Sequence, residues 1–276
     1  MKLIVTSEKD LASQTIKEAL LSYFSFEKLS ESFEDYPIYL YRSDIMLVTS
    51  KTDLVYLSYL DSHFEAEFYI FASRHSSKSK LPALLVHTPG NWTEENKLGG
   101  NARSLAISNP HLMRLMLLRL KYWKEDLNLD NYLLSMEVTH HGPTNLNRPV
   151  TFIEIGSSPE EWANEEAAKA VAFTIMESLK NLNQKNKVAI GFGGTHYCPS
   201  FNKLVLEHEI SMGHIAPKYV IMSLDESVVT QAIEHNANKP DFAILDWKGL
   251  TASQREHIIN ILDGLSFPWI KNKNVV

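Results

Sequence analysis

A chain of 276 residues with 44% hydrophobic and 22% charged side chains, 11 glycines and 11 prolines has a globular composition, which excludes disordered, fibrous and low-complexity classes. The net charge of −6 excludes a globally basic nucleic-acid binder. A single cysteine, Cys198, excludes intramolecular disulfides, cysteine-based zinc fingers and iron–sulfur clusters, and fits a reducing compartment.

Residues 2–6 read as a short buried strand. Ser7 and Asp10 then form an S-x-x-D capping pattern, and Leu11, Ile16, Ala19, Leu20, Tyr23 and Phe24 recur at helical spacing. Apolar runs at 38–41, 45–49, 68–72 and 83–87 read as strands. Asn109-Pro110 supplies an N-cap and a first-turn proline for a helix whose apolar face is Leu112, Met113, Met116, Leu117, Leu120 and Trp123. Residues 133–139 and 150–155 read as strands, and 159 to about 182 as a long helix. Residues 188–192, 219–222 and 242–246 read as buried strands, with helical patterns at 226–235 and 253–262. This alternation predicts a three-layer α/β/α fold with a mixed, mostly parallel sheet covered on both faces. With no internal repeat and no linker-like stretch, residues 1–276 read as one compact α/β unit, in one lobe or two, without a domain boundary. The site of such a fold is expected in loops at the carboxyl ends of strands. The apolar run at 3–5 is too short for a secretory signal, and no run approaches the about 18 apolar residues of a membrane span, so a cytoplasmic protein away from membranes is expected.

Charge is uneven. Residues 74–124 hold nine basic side chains against two acidic ones in an otherwise acidic chain. That segment suggests an anionic partner, with a solvated helix face as the plain alternative. Its candidates for nucleic-acid contact are Arg74, Lys78, Lys80, Arg103, Arg114, Arg119 and Lys121.

Four expected strand ends each deliver a histidine among small or turn-forming residues: His75, His87, the pair His140-His141, and His196 after Gly193-Gly194. Imidazole is suited both to proton transfer near neutrality and to metal ligation, and strand ends can converge on one pocket. A histidine taken alone is more often hydrogen-bonded structure. If the strand ran straight on, His140 and His141 would point to opposite faces, so a shared ion needs a turn between them. Glu154 in an apolar strand either meets a histidine or metal, or marks an exposed edge. Cys198 beside His196 reads as a nucleophile or as a small packed thiol. Gly191-Phe192-Gly193-Gly194 fails as a dinucleotide loop, because His196 takes the sixth position and Pro199 follows. Walker A, Gly-x-Ser-x-Gly and H-E-x-x-H patterns are absent from the sequence.

Together SRHSS (73–77), HTPGNW (87–92), EVTHHGPT (137–144), FIEIGS (152–157) with Trp162, GFGGTHYCP (191–199) and Gly213-His214 resemble the archaeal and plant type of D-aminoacyl-tRNA deacylase. The resemblance implies a phosphorylase/hydrolase-like fold, a zinc cofactor, a monomer, and hydrolysis of the ester joining a D-amino acid to the 3′ end of tRNA. On that basis His140, His141, His196 and Glu154 are expected as metal ligands or their immediate supports. His75 or His87 is expected as the base, Gly193 and Gly194 as oxyanion donors, and the basic segment as the tRNA contact. The alternatives are a metal-dependent peptidase or phosphorylase-like enzyme on a similar fold, or a non-catalytic tRNA-binding module whose histidines are structural.

Overall fold

The computed structural model describes residues 1–180, 182 and 184–275. It opens with β1 (Lys2–Ser7) and α1 (Leu11–Tyr23). The N-cap of α1 is Asp10, which accepts from the Ser13 amide; Ser7, the expected cap, still belongs to β1. Next come β2 (Glu27–Phe33), β3 (Tyr36–Tyr41), β4 (Ile45–Ser50), β5 (Phe68–Ser76) and β6 (Ala83–His87). A ribbon of β7 (Gly90–Asn91) and β8 (Ser104–Leu105) precedes α2 (Pro110–Asp126), which Asn109 caps as expected. The middle of the chain holds β9 (Leu133–Met136), β10 (Val150–Ser157), α3 (Pro159–Trp162) and α4 (Glu165–Ser178). The last third holds β11 (Lys187–Phe192), α5 (Pro199–Glu207), β12 (Ile210–Ala216), α6 (Glu226–Glu234), β13 (Phe242–Leu245), α7 (Ala252–Gly264) and β14 (Trp269–Lys271).

Two expectations are corrected. The long helix from 159 is two helices, because the Asn164 side chain accepts from the Ala167 amide and starts α4 afresh. Part of that expected span, residue 181, lies outside the described residues. The expected strand at 219–222 is an exposed turn that runs into a 3-10 segment, Ile221–Ser223, with Tyr219 63% and Met222 55% exposed. The strand of that region is β12 instead.

The strands form one sheet in the order β2-β3-β4-β1-β5-β10-β6-β9 and a second in the order β12-β11-β13-β14. In the first, β4, β1, β5 and β10 are parallel, β6 runs antiparallel to β10, and β9 is parallel to β6; the second is parallel throughout. This is the α/β fold with a mixed, mostly parallel sheet that the alternation predicts. Helices α1, α4 and α2 pack side by side on one face of the first sheet, over Ile4, Ile70, Ala72, Val86, Ile153 and Ile155. The alternate residues Val5, Tyr69, Phe71, Val150 and Phe152 face a smaller core closed by 3-10 segments at Leu54–Tyr56 and Leu60–Ser62. That face carries no helix layer among the described residues, unlike the expectation. The second sheet is the one with helices on both faces, α2 and α5 on one side and α6 and α7 on the other.

Helix α2 therefore serves two sheets at once. Met116, fully buried in the shared core, tests this. Met116→Ala is expected to lower unfolding stability by about 2–5 kcal/mol in urea denaturation; an unchanged midpoint would contradict the packing.

Candidate active site

Three neighbouring strands set the floor of the site. The parallel register of β5 and β10 pairs Phe71 with Phe152, Ser73 with Glu154, and His75 with Gly156. Strand β6 runs back along β10 and pairs His87 with Phe152. Alternation then places Phe71, Ser73, His75, Phe152, Glu154 and His87 together on the face that the helices leave free. The site is thus on a sheet face rather than along a row of carboxyl ends, because antiparallel β6 carries His87 level with the middle of β10. Strand β5 also continues past Ala72, so Ser73 and His75 belong to the strand itself.

The remaining groups arrive on two loops. Beyond β9 the amides of Glu137, Val138 and Thr139 donate in turn to the carbonyls of Val86, His196 and Ile215, each at 3.0 Å. These bonds stitch the first sheet to the loop after β11 and to β12, and they seat His196 beside Glu137. The backbone then turns at His141, with φ +46°. That turn brings consecutive imidazoles into one cluster, with ring centroids 4.4 Å apart. Gly142 must be glycine, since a Cβ there would lie 2.3 Å from the Gly100 amide nitrogen.

Hydrogen bonding fixes the cluster. The Ser73 hydroxyl donates to Glu154 at 2.6 Å. His75 Nδ1 lies 3.4 Å from Glu137 and 3.6 Å from Glu154, and its Nε2 lies 3.1 Å from the Tyr197 hydroxyl. His196 Nε2 lies 2.9 Å from Glu137. The His87 ring stacks on Phe152 at 5.1 Å and sits 4.3 Å from the His140 ring. His140 Nδ1 donates to the Val138 carbonyl at 2.8 Å, and His141 Nδ1 donates to the Gly142 carbonyl at 2.7 Å. A carbonyl only accepts, so Nδ1 carries the proton in both rings and both Nε2 lone pairs are free.

The electrostatics follow. Burial alone would push the Glu154 carboxyl up, but the neighbouring His75 and His87 imidazoles, at 3.6 and 3.7 Å, hold it well below the usual carboxylate range. Burial opposes charge on His75, but the nearby carboxylates of Glu154 and Glu137 raise its pKa instead. Withdrawal from water, then the field of His87, lowers His140 far below the ordinary imidazole range and His141 to about 3. His140 and His141 are therefore neutral near pH 7.

Donor atoms meet within 4.8 Å in three groups: His87, His140 and His141; Glu137, His140 and His196; and His75, Glu137 and Glu154. These His/Glu clusters could bind a metal ion. Among the described residues, the buried polar atoms without a hydrogen-bond partner include both ring nitrogens of His87 and Oε2 of Glu137. Orphaned electron-pair donors gathered at one place fit a cation. A cleft of about 480 Å3 opens onto His75, His140, His141, His196 and Glu154, lined also by Asp10, Asp53, Tyr56, Arg74 and Leu98.

All five site histidines expected from the sequence meet here, as does Glu154. The donors group differently from the expected set, with His87 among the imidazoles and Glu154 beside His75. Glu137 was missed, although its buried carboxylate in EVTHHGPT carries the same signal as Glu154. Gly193 and Gly194 line neither this cleft nor its neighbour, and the Gly193 amide already donates to Ala216 at 2.8 Å. Cys198 is a packed thiol that burial pushes well up in pKa. Of the basic candidates, Arg74 lines the cleft and reaches Asp53 at 3.3 Å, and Lys78 and Lys80 are exposed in the turn that follows β5. Arg103 pairs with Asp225 at 2.5 Å, and Arg119 lies 3.7 Å from Glu177. Arg114 has a buried Nε without a partner, and Lys121 is exposed on α2.

Imidazoles and carboxylates gathered at a cleft of an α/β sheet are groups that hydrolytic enzymes use. The chain belongs to the D-aminoacyl-tRNA deacylase family, whose model matches residues 62–270. The D-aminoacyl-tRNA deacylase of Thermococcus onnurineus is 40% identical over 279 residues, spanning 99% of this chain and 100% of the relative. That of Methanocaldococcus jannaschii is 36% identical over 276 residues, spanning 97% and 98%. A crystal structure of a conserved protein of unknown function superposes with a TM-score of 0.91 at 31% identity, covering 100% of this chain and 96% of that one.

His214, from the Gly213-His214 pair of the resemblance, supports the cluster from behind. It donates from Nε2 to the His235 carbonyl at 3.0 Å and accepts from the Thr139 hydroxyl at 3.2 Å. Burial lowers its pKa to about 4 from an ordinary 6.5. The folded state resists protonation there, so stability is lost as pH falls from about 6.5 towards 4. His214→Asn is expected to flatten that part of the stability–pH curve in urea titrations, and to cost about 1–3 kcal/mol at pH 7. An unchanged slope would contradict a buried neutral imidazole.

Proposed function

We propose that this protein hydrolyses the ester between a D-amino acid and the 3′ end of tRNA, releasing both products. The observation that carries this is that His75, His140, His141, His196 and Glu154 line one open cleft, with buried His87 and Glu137 grouped against them, in a chain that matches curated deacylases along its whole length.

The donor set, neutral imidazoles with carboxylates, suits zinc. His140 would hold it, with His87 and His141 or with Glu137 and His196. Bound there, zinc would supply Lewis acidity and make water more acidic near the ester. His75 is the proton carrier, taking a proton from the attacking water and returning it to the ribose oxygen as the ester bond breaks. Glu154 and Glu137 hold its ring and stabilise its charged form. Phe152 and the stacked His87 keep the floor dry.

The positive segment, with Lys78 and Lys80 exposed in the turn after β5 and with Arg74, Arg103, Arg114, Arg119 and Lys121, takes phosphates of the acceptor stem. The protein acts as a monomer in the cytoplasm, where charged tRNA is used. No helix among the described residues is long and apolar enough to cross a membrane.

Matched D- and L-tyrosyl-tRNA, assayed with and without chelator, test the function. Hydrolysis of the D-ester alone, lost on chelation and restored by zinc, is expected. Equal rates on both hands, or tRNA binding without turnover in zinc, would overturn it in favour of a general hydrolase or a binding module. His75→Ala is expected to lower kcat about 10²–10⁴-fold. Charge reversal at Lys78 and Lys80 together is expected to raise KM and to reduce the slope of log affinity against log salt by about 1.5–2. An unchanged slope would remove the β5 turn from the interface.

A further inference from the structure

A second cleft, of about 330 Å3, meets the first at a wall made of His140, His141 and Leu98. The two differ in chemistry. The first presents Asp10, Asp53 and Glu154 together with Arg74 and His75. The second is walled by Trp92, Pro217, Tyr219 and Val220 with the backbone of Gly90, and its ionisable groups are Glu95 and Lys97 besides the shared histidines. Trp92 is buried and pinned by its Nε1, which donates to the Thr139 carbonyl at 3.0 Å, so it is a fixed wall. Tyr219 is 63% exposed, an aromatic face open to a ligand.

An ester has two unlike halves, one on each side of the bond that breaks. If that bond is cleaved at the histidines, each half needs a room adjoining them. One half of an aminoacyl-tRNA carries an ammonium group, which favours carboxylates. The other is a nucleoside, with a flat base that carries no charge and stacks on aromatic rings.

We propose that the substrate lies across the His140–His141 wall, with its 3′-terminal adenosine in the second cleft, the base stacked on Tyr219, and its D-aminoacyl group in the first. This deepens the deacylase assignment and rests on it. The volume of the second cleft falls within the about 300–1,000 Å3 typical of small-molecule sites. Lys97, 85% exposed at its mouth and 3.0 Å from Glu95, offers a cation to the phosphate that leads into the terminal nucleoside.

Steady-state deacylation of D-tyrosyl-tRNA and D-alanyl-tRNA, with adenosine as inhibitor, tests this on the full chain. Tyr219→Ala is expected to raise KM about tenfold for both substrates alike and to weaken adenosine inhibition by the same factor, with the loss falling on KM rather than kcat. Tyr219→Phe, which keeps a ring, is expected to regain both affinities. A changed preference between D-tyrosyl and D-alanyl esters with adenosine inhibition intact would put the amino-acid side chain in the second cleft and overturn the proposal, as would no change in either readout. A wild-type protein inert on both esters would instead overturn the functional assignment. Adenosine binding measured by calorimetry would then decide the subsite alone, upheld only if Tyr219→Ala weakens it.

Discussion

Two carboxylates, Glu137 and Glu154, lie buried behind an open cleft, and giving them partners is the constraint around which this molecule is arranged. An unpaired buried carboxylate is costly enough that it normally takes up a proton. Here Ser73 and His75 meet Glu154, and His75 and His196 meet Glu137. One imidazole, His75, faces both acids, and their carboxylates raise its pKa. The imidazoles that face other imidazoles, His140 and His141, are driven the opposite way and stay neutral. On the proposed reading, one cluster thereby contains a proton carrier and a set of electron-pair donors, the two kinds of group that ester hydrolysis uses.

Sheet architecture makes the cluster possible. With α1, α4 and α2 all on one face, the other face of β5, β10 and β6 is free to carry polar side chains in its middle. The reversed direction of β6 sets His87 opposite Phe152, and the three backbone bonds at 137–139 tie the two sheets together where the histidine-bearing loops meet. The short floor strands hold positions to within a residue, while the turn at His141 and the close backbone approach at Gly142 supply what strand periodicity alone would forbid.

Much of this was legible in the sequence, and the exceptions share a cause. Local signals worked: the Asn109 cap forms, with its side chain accepting from the Leu112 amide, and the strands at 45–49, 83–87 and 188–192 match the structure closely. Patterning failed where function or solvent had altered it. Strand β5 reads as ending at Ala72 because Ser73 and His75 are polar, yet they are polar because they face the site. Strand β12 was overlooked because Gly213-His214 interrupts its apolar run, and the run at 219–222 was taken in its place although Tyr219 and Met222 point to solvent. Strand β2, E-K-L-S-E-S-F, is a mostly exposed edge with no buried stripe to find. Glu137 went unused because the strand was expected to continue to residue 139, which would have set Glu137 and His140 on opposite faces.

The central claim is that free electron pairs on His140 and its neighbours form a cation site on the open sheet face. Anomalous diffraction at the zinc edge from crystals grown with zinc tests it most directly. The account predicts an ion at about 2.0–2.1 Å from His140 Nε2, completed by His87 and His141 or by Glu137 and His196. An anomalous peak confined to other parts of the surface, with His140 Nε2 unligated, would contradict it.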